Sequence, residues 1–263
     1  MSAIGEGTGP EAAEWTGKIS SGGWRPSGGG TSAGSEPATG ERLAEVGVAA
    51  PSDVARAGAL AARAQRDWAE VTPQERSEVL IGAARALREH SGEIREWIVR
   101  ESGGVPAKGD YEIAAGLSQL AQAAGLASLP YGEILSPPGP GQASYAWRVP
   151  LGVVGVINPW NAPLLFAMRA LAPALALGNA VLLKPDPHTP VSGGVIVARL
   201  FEEAGLPDGL LHVLPGGPGT GEAVVTDPHV ASASFTGSTE AGRAVARSAG
   251  QGPKRGSLGR GGD

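Results

Sequence analysis

From residue 152 onward, short β-branched apolar runs alternate with segments of helical length, and no other feature limits the fold of this chain so sharply. "GVVGVINP" (152–159) and "AVLLKP" (180–185) are strand-like runs that stop at proline. Between them "LLFAMRALAPALALGN" is apolar, of helical length, and ends in Gly-Asn. The alternation continues with helix "PVSGGVIVARLFEEAG", strand "LLHVLPG", helix "GEAVVTD", strand "ASASFTGS" and helix "TEAGRAVARSAG". Wholly apolar strands separated by helices belong to a parallel sheet covered on both faces. The pattern predicts an α/β fold over residues 152–263, a Rossmann-like parallel sheet with helices on both faces.

The preceding segments differ in character. Residues 1–40 are rich in Gly, Ser and Pro ("SSGGWRPSGGGTSAGSEPATGE"), too poor in apolar surface to fold alone, and read as a surface arm or loop pair. Residues 41–129 read as mostly helical. In "SDVARAGALAARAQRDWA" (52–69), Val54, Ala57, Leu60, Ala61, Ala64 and Trp68 share a face behind an N-cap at Ser52, with Gly58 a weak point. A second helix starts at Thr72-Pro73 and carries His90 in its last turn, where a dipole-compensating or solvated role suffices. "EIREWIVRES" and "YEIAAGLSQLAQAAGLAS" supply two more. Residues 130–151, rich in Pro and Gly with aromatics between, read as a protruding hairpin.

Composition removes several function classes. The chain has 263 residues, enough for one large or two modest domains, and a net charge of −5 with acids and bases interspersed, which offers no footprint for nucleic acid or an anionic membrane. A small or neutral partner fits better. No run approaches a membrane span and the N-terminus lacks a signal-peptide pattern, so the cytoplasm is the expected compartment. Zero cysteines exclude disulfides, thiolate metal sites and thiol nucleophiles together.

In such sheets ligands bind beyond the carboxyl ends of the strands. Four stretches lie there. In "NPWNAP", the Asn161 amide is suited either to donate to an oxyanion or to cap a helix. In "LLKPDPHTP", Lys184 ends an apolar strand, as a ribose or phosphate contact or as a snorkelling surface lysine. "LPGGPGTGEA" is a glycine loop that allows close ligand approach or simply turns. "SFTGSTEAGR" places Gly237, Ser238 and Thr239 at a strand end that opens a helix, where a pyrophosphate fits. Elsewhere His90, His188, His212 and His229 are scattered without an acidic partner at recognisable spacing, so no triad is legible. Tyr111, Tyr131 and Tyr145 lack a lysine four residues on, and no metal-ligand spacing occurs.

In order and setting, "GVVGVINPWNAPL", "ALALGNAVLLKPDPHTP", "LFEEAGLPDGLLHVLPG" and "FTGSTEAGR" resemble the coenzyme-binding half of the aldehyde dehydrogenase superfamily. "EPATGE" and "WA...ERSEVL" resemble its N-terminal region, and the likeness runs from about Gly23 to Gly262. "KPDP" and "WTGKISSGGW" are most similar to the benzaldehyde and vanillin dehydrogenase branch. The resemblance implies NAD(P)-dependent oxidation of an aromatic aldehyde to its acid, through a cysteine thiolate, an oxyanion held by Asn161, and a glutamate base. It implies that Lys184 contacts the adenosine ribose and that Gly237 and Ser238 lie under the pyrophosphate, with Asp186, Phe235 and Thr236 also among the coenzyme-binding residues. Trp160 would line the pocket mouth beside Ile157 and Pro159, and Gly217 and Gly221 would flank the coenzyme. A homo-oligomer built through the hairpin is implied as well.

The sequence departs from that family in two places. "SLGRGGD" stands where the family has "S-L-E-L-G-G", which puts Gly259 at the base position, and no cysteine follows. The expectation is a chain cut short before its catalytic domain, inactive as an enzyme, with exposed apolar patches and a tendency to aggregate. The alternative is a non-catalytic dinucleotide-binding or oligomerisation module. Where many members carry a glutamate after the "KP" proline, this chain has Pro187 behind Asp186, so NAD and NADP both remain open as coenzyme, with no strong preference for NAD.

Overall fold

The protein is described from a computed structural model covering residues 14–250 and 254–260. The first part of the glycine-rich segment and Gly261, Gly262 and Asp263 of the closing motif lie outside the described residues.

A seven-stranded sheet in the order β11-β10-β7-β8-β9-β1-β2 organises the molecule. Its centre is β7 (Val153–Ile157), β8 (Ala180–Lys184), β9 (Leu211–Val213) and β10 (Val230–Gly237), joined by β11 (Arg255–Arg260), all parallel. Two short strands, β1 (Lys18–Ser20) and β2 (Trp24–Pro26), continue the sheet antiparallel beyond β9. β3 (Thr31–Ser35) pairs with β4 (Arg42–Gly47), and β5 (Gly132–Leu135) pairs with β6 (Ser144–Trp147) as the predicted hairpin.

The segment expected as a surface arm or loop pair therefore contains strands in its described part. The open edge of β9 supplies backbone partners that the Gly- and Ser-rich sequence could not supply for itself, pairing Ser20 with Val213. Ile19 is fully buried, and the Trp15 ring packs edge-on against Trp97, with centroids 6.2 Å apart.

Helices α1 (Pro51–Glu70), α2 (Pro73–Glu89), α3 (Ser91–Ser102) and α4 (Pro106–Leu126) fill the region read as helical. The N-cap of α1 is Ala50 rather than Ser52: the Asp53 carboxylate accepts from the N–H groups of Ala50 (3.0 Å) and Gly28 (2.7 Å), fixing the helix start from inside. α2 begins as expected, with Thr72 Oγ1 accepting from the Glu75 N–H and Glu75 accepting from the Thr72 N–H. Four further helices connect the parallel strands: α5 (Pro163–Ala176), α6 (Ile196–Glu203), α7 (Pro218–Thr226) and α8 (Thr239–Ala249). A π-helical turn, Val191–Val195, leads into α6.

α5 and α6 pack on one side of the sheet, backed by α2, α3 and α4, while α7 and α8 lie on the other with α1. The core runs through both layers and includes Leu87, Ile98, Leu120, Leu164, Met168 and Leu171. Buried Arg76 on α2 donates from Nε to the Ala176 carbonyl at the end of α5 (2.9 Å) and from Nη2 to the Tyr131 hydroxyl at the hairpin base (2.6 Å).

Candidate functional site

The chain runs from β7 outward through β8 to β9, then crosses back to place β10 on the other side of β7. The crossovers to the two sides of β7 leave a crevice between the carboxyl ends of β7 and β10, the topological switch point where open α/β sheets bind ligands. Ile157 and Phe235 are register partners at that point. The crevice is bounded by the residues after β7, Asn158 to Asn161, and those after β10, Gly237 and Ser238.

Two helix starts on one face of the sheet are filled by buried glutamates that sequence reasoning passed over. Glu112 on α4, with no exposure, accepts from the N–H groups of Leu164 (3.1 Å) and Leu165 (3.4 Å) at the start of α5, and is paired with Lys108. Glu101 on α3 accepts from the N–H groups of Val191 (2.8 Å) and Ser192 (2.6 Å) and from the Ser192 hydroxyl, at the turn that opens α6. Burial pushes the Glu101 carboxyl up to about 7, against those three donors. Protein carboxylates thus already occupy the helix starts that follow β7 and β8. On the other face, α7 begins at Gly217 without any side-chain cap, and α8 is capped by its own Ser238, whose Oγ accepts from the Ala241 N–H at 3.3 Å. The starts of α7 and α8 remain the places suited to a phosphate.

Several predicted site residues converge here. A Cβ built on Gly221 would lie 3.7 Å from Ile157 Cδ1 and 4.0 Å from Lys184 Cδ, which brings the ends of β7 and β8 together with the first turns of α7. Lys184 is only 6% exposed, so it is not a snorkelling surface lysine. Burial lowers its pKa and Asp186 pulls it back. Among the described residues no hydrogen bond or ion pair holds its ammonium. Phe235 folds its ring against Gly237, where a Cβ would come within 2.6 Å of the ring, so a larger residue there would have to displace Phe235. Thr236 is partly buried and stands opposite Gly259 in β11.

Asn161 and Trp160 are exposed on the loop after β7, beside partly buried Pro159. Asn161 is not a helix cap: the N-cap of α5 is Ala162, with no side-chain capping bond. The loop is held instead by buried Asn158, whose backbone N–H donates to the Lys184 carbonyl (3.1 Å) and whose Nδ2 donates to the Pro163 carbonyl (3.3 Å).

The reading that the histidines lack acidic partners is corrected by the structure. His90 meets Glu203 across helices at 2.8 Å, while His188 and His229 each bond the aspartate two residues earlier, Asp186 at 2.7 Å and Asp227 at 3.1 Å. Those local pairs close through turns rather than helical or strand periodicity. The fourth, His212, is buried in β9 against Ser21. No group of three or more metal-ligating side chains occurs among the described residues. Nor is any helix among them long and apolar enough to cross a membrane.

Both glutamates had a signal in the sequence. Glu101 follows Ile94, Trp97 and Ile98 on the buried stripe of α3, and Glu112 shares a face with Gly109 and Gly116. A carboxylate inside an apolar stripe needs buried donors, and helix starts are the commonest supply.

A doubly wound sheet whose switch point lies at the carboxyl ends of β7 and β10 defines an open α/β fold of the Rossmann-like class. Residues 24–263 match the model of the aldehyde dehydrogenase family, and the chain belongs to that family. It is 53% identical over 250 residues to a vanillin dehydrogenase of Amycolatopsis sp., covering 95% of this chain and 51% of that relative. It is 46% identical over 249 residues to a benzaldehyde dehydrogenase [NAD(+)] of Pseudomonas putida, covering 95% and 51%. The crystal structure of an NAD-dependent benzaldehyde dehydrogenase from Corynebacterium glutamicum superposes with a TM-score of 0.89 at 40% identity, covering 92% of this chain and 54% of that one. The chain spans about half the length of the curated relatives it matches.

Proposed function

We propose that this chain is the coenzyme-binding part of an NAD(P)-dependent aldehyde dehydrogenase acting on aromatic aldehydes, and that alone it binds the dinucleotide without oxidising aldehyde. The observation that carries this reading is the switch point, where the start of α7 has no side-chain cap and α8 is capped only by its own Ser238, while Glu101 and Glu112 fill the helix starts that follow β8 and β7. Bound there, a nicotinamide dinucleotide would supply a hydride acceptor. The first turns of α7 and α8, with Gly217, Gly221, Gly237 and Ser238, would hold its pyrophosphate, and Lys184 and Asp186 its adenosine ribose. Asn161, exposed beyond β7, would donate its amide to a developing oxyanion. The 263 residues contain no cysteine to create that oxyanion, and Gly259 offers no carboxylate to activate water.

Titration of the chain with NADH, followed by quenching of its tryptophan fluorescence, tests the reading. Saturable binding is expected, weakened by about tenfold, or ~1.4 kcal/mol, in Lys184→Ala. Benzaldehyde with NAD or NADP should give no reduced coenzyme. Failure to saturate at millimolar NADH would sink the coenzyme half of the reading, and measurable turnover would sink the non-catalytic half. A second reading, a module that assembles with another aldehyde dehydrogenase chain, is favoured by the exposed apolar side chains of the β5–β6 hairpin.

A further inference from the structure

The outer edge of the sheet carries two arginines that the coenzyme crevice does not use. β2 lies at the opposite end of the sheet from β10 and β11, with β8, β9 and β1 between it and β7. Trp24 turns toward α6, its Nε1 donating to Glu202 (3.2 Å). Alternation along the strand turns Arg25, the register partner of fully buried Ile19, to the opposite face, where α1 lies. β2 and its flanking turns run along the first half of α1. At one end the Gly28 N–H donates to Asp53 (2.7 Å), and at the other a Cβ on Gly22 would lie 3.8 Å from Leu60 Cδ1. Arg25 and Arg56 stand between those two contacts, one on the strand and one on the helix.

Neither guanidinium is satisfied among the described residues. Arg25 Nε, Arg56 Nε and Arg56 Nη2 are buried without a hydrogen-bond partner. Asp53, one turn before Arg56, commits Oδ2 to the Ala50 and Gly28 N–H groups, and its Oδ1 reaches Arg56 Nη2 only at 3.6 Å. Unpaired guanidinium nitrogens are costly to bury, and two like charges on facing elements repel. The Arg56 side chain is still 34% exposed, so an ion can reach it from solvent.

We propose that Arg25 and Arg56 form a binding site for a phosphate-type oxyanion, separate from the crevice at the switch point. A tetrahedral dianion accepts from two guanidinium forks at once, which offsets their mutual repulsion and gives the unpartnered nitrogens charge-assisted hydrogen bonds. Each head swings outward on its flexible stem to meet the ion, while Asp53 stays bound to the backbone N–H groups that start α1.

The phosphorus NMR linewidth of inorganic phosphate, titrated against the 263-residue chain in chloride at constant ionic strength and again with NADH in excess, reads the site. Saturable broadening at millimolar phosphate is expected, unaltered by NADH. Arg25→Gln and Arg56→Gln should each weaken binding by about tenfold or more. Arg56→Lys, which keeps the charge and loses the fork, should weaken it nearly as much, and it guards against a glutamine variant that fails to fold. Glycerol phosphate in place of inorganic phosphate separates the sources: whichever binds more tightly shows whether the site takes a phosphate ester or the free ion. No saturable broadening, broadening abolished by NADH, or broadening that persists in both glutamine variants would overturn the inference. Whether NADH itself binds bears on the coenzyme reading alone.

Discussion

His212 sits where a charge is most costly. It is fully buried in β9, its Nε2–H donating to the Gly209 carbonyl (3.0 Å) and its Nδ1 accepting from the Ser21 hydroxyl (2.8 Å). Burial lowers its pKa to about 4, and nearby Arg56 adds to the effect. The unfolded chain, with an ordinary imidazole, therefore takes up a proton before the folded one does. Stability should be fully present above about pH 6.5 and be lost as pH falls toward about 4, by up to about 3 kcal/mol from this residue. Urea denaturation near pH 5 and near pH 7.5 measures the loss. His212→Gln should flatten that part of the profile, and an unaltered slope would exclude His212 as its source. Single residues were legible in the sequence where a local rule singled them out. Lys184 stood out because it closes an apolar strand, and Gly237 because a turn there needs a small residue. The Asp186–His188 pair and the two helix-filling glutamates were not read, because their partners are set by turn geometry or by helices distant in sequence.

At the scale of elements, α1 shows where propensity and packing disagree. Replacing a mid-helix glycine by alanine ordinarily stabilises a helix by about 1 kcal/mol. A Cβ on Gly58 would lie 2.5 Å from Asp227 Oδ1, and that carboxylate is buried and bonded by the His229 N–H and ring. Gly58→Ala is expected to lower stability by about 1–3 kcal/mol, measured by urea denaturation at neutral pH. A stabilised variant would show that α1 can move off Asp227. Helices were legible because their signals are local: the Thr72 capping box, the α1 stripe and the Gly-Asn stop after α5 each act within a few residues. β1 and β2 were hidden in a glycine-rich composition and exist because β9 offers an edge. β11 was likewise unread as a strand, since "RGSLGR" has neither length nor β-branched content and pairs only because β10 lies beside it.

Across the whole molecule, the least satisfied surface is the hairpin. Ile134 is 83% exposed, Trp147 73% and Val149 75%, with Tyr145 and Leu151 also exposed nearby. Apolar side chains clustered on a protruding pair of strands are disfavoured in water and are covered by association. The chain is expected to self-associate at micromolar concentration, with a light-scattering mass above its 26.4 kDa, and Ile134→Ser with Trp147→Ser should shift it toward monomer. A monodisperse wild-type monomer would remove this expectation. By itself the sequence determined the fold class and which loops follow the strand ends, because period, caps and turn glycines are short-range properties. It also determined that these 263 residues hold no thiol, since residue types can be counted. Only the tertiary structure decided which helix starts are filled by Glu101 and Glu112 and which are left without a buried carboxylate. It alone decided that Lys184 is buried rather than solvated and that a glycine-rich strand pair completes the sheet. Those outcomes depend on groups far apart in the chain, whose meeting is fixed by packing and by the need of every buried polar group for a partner.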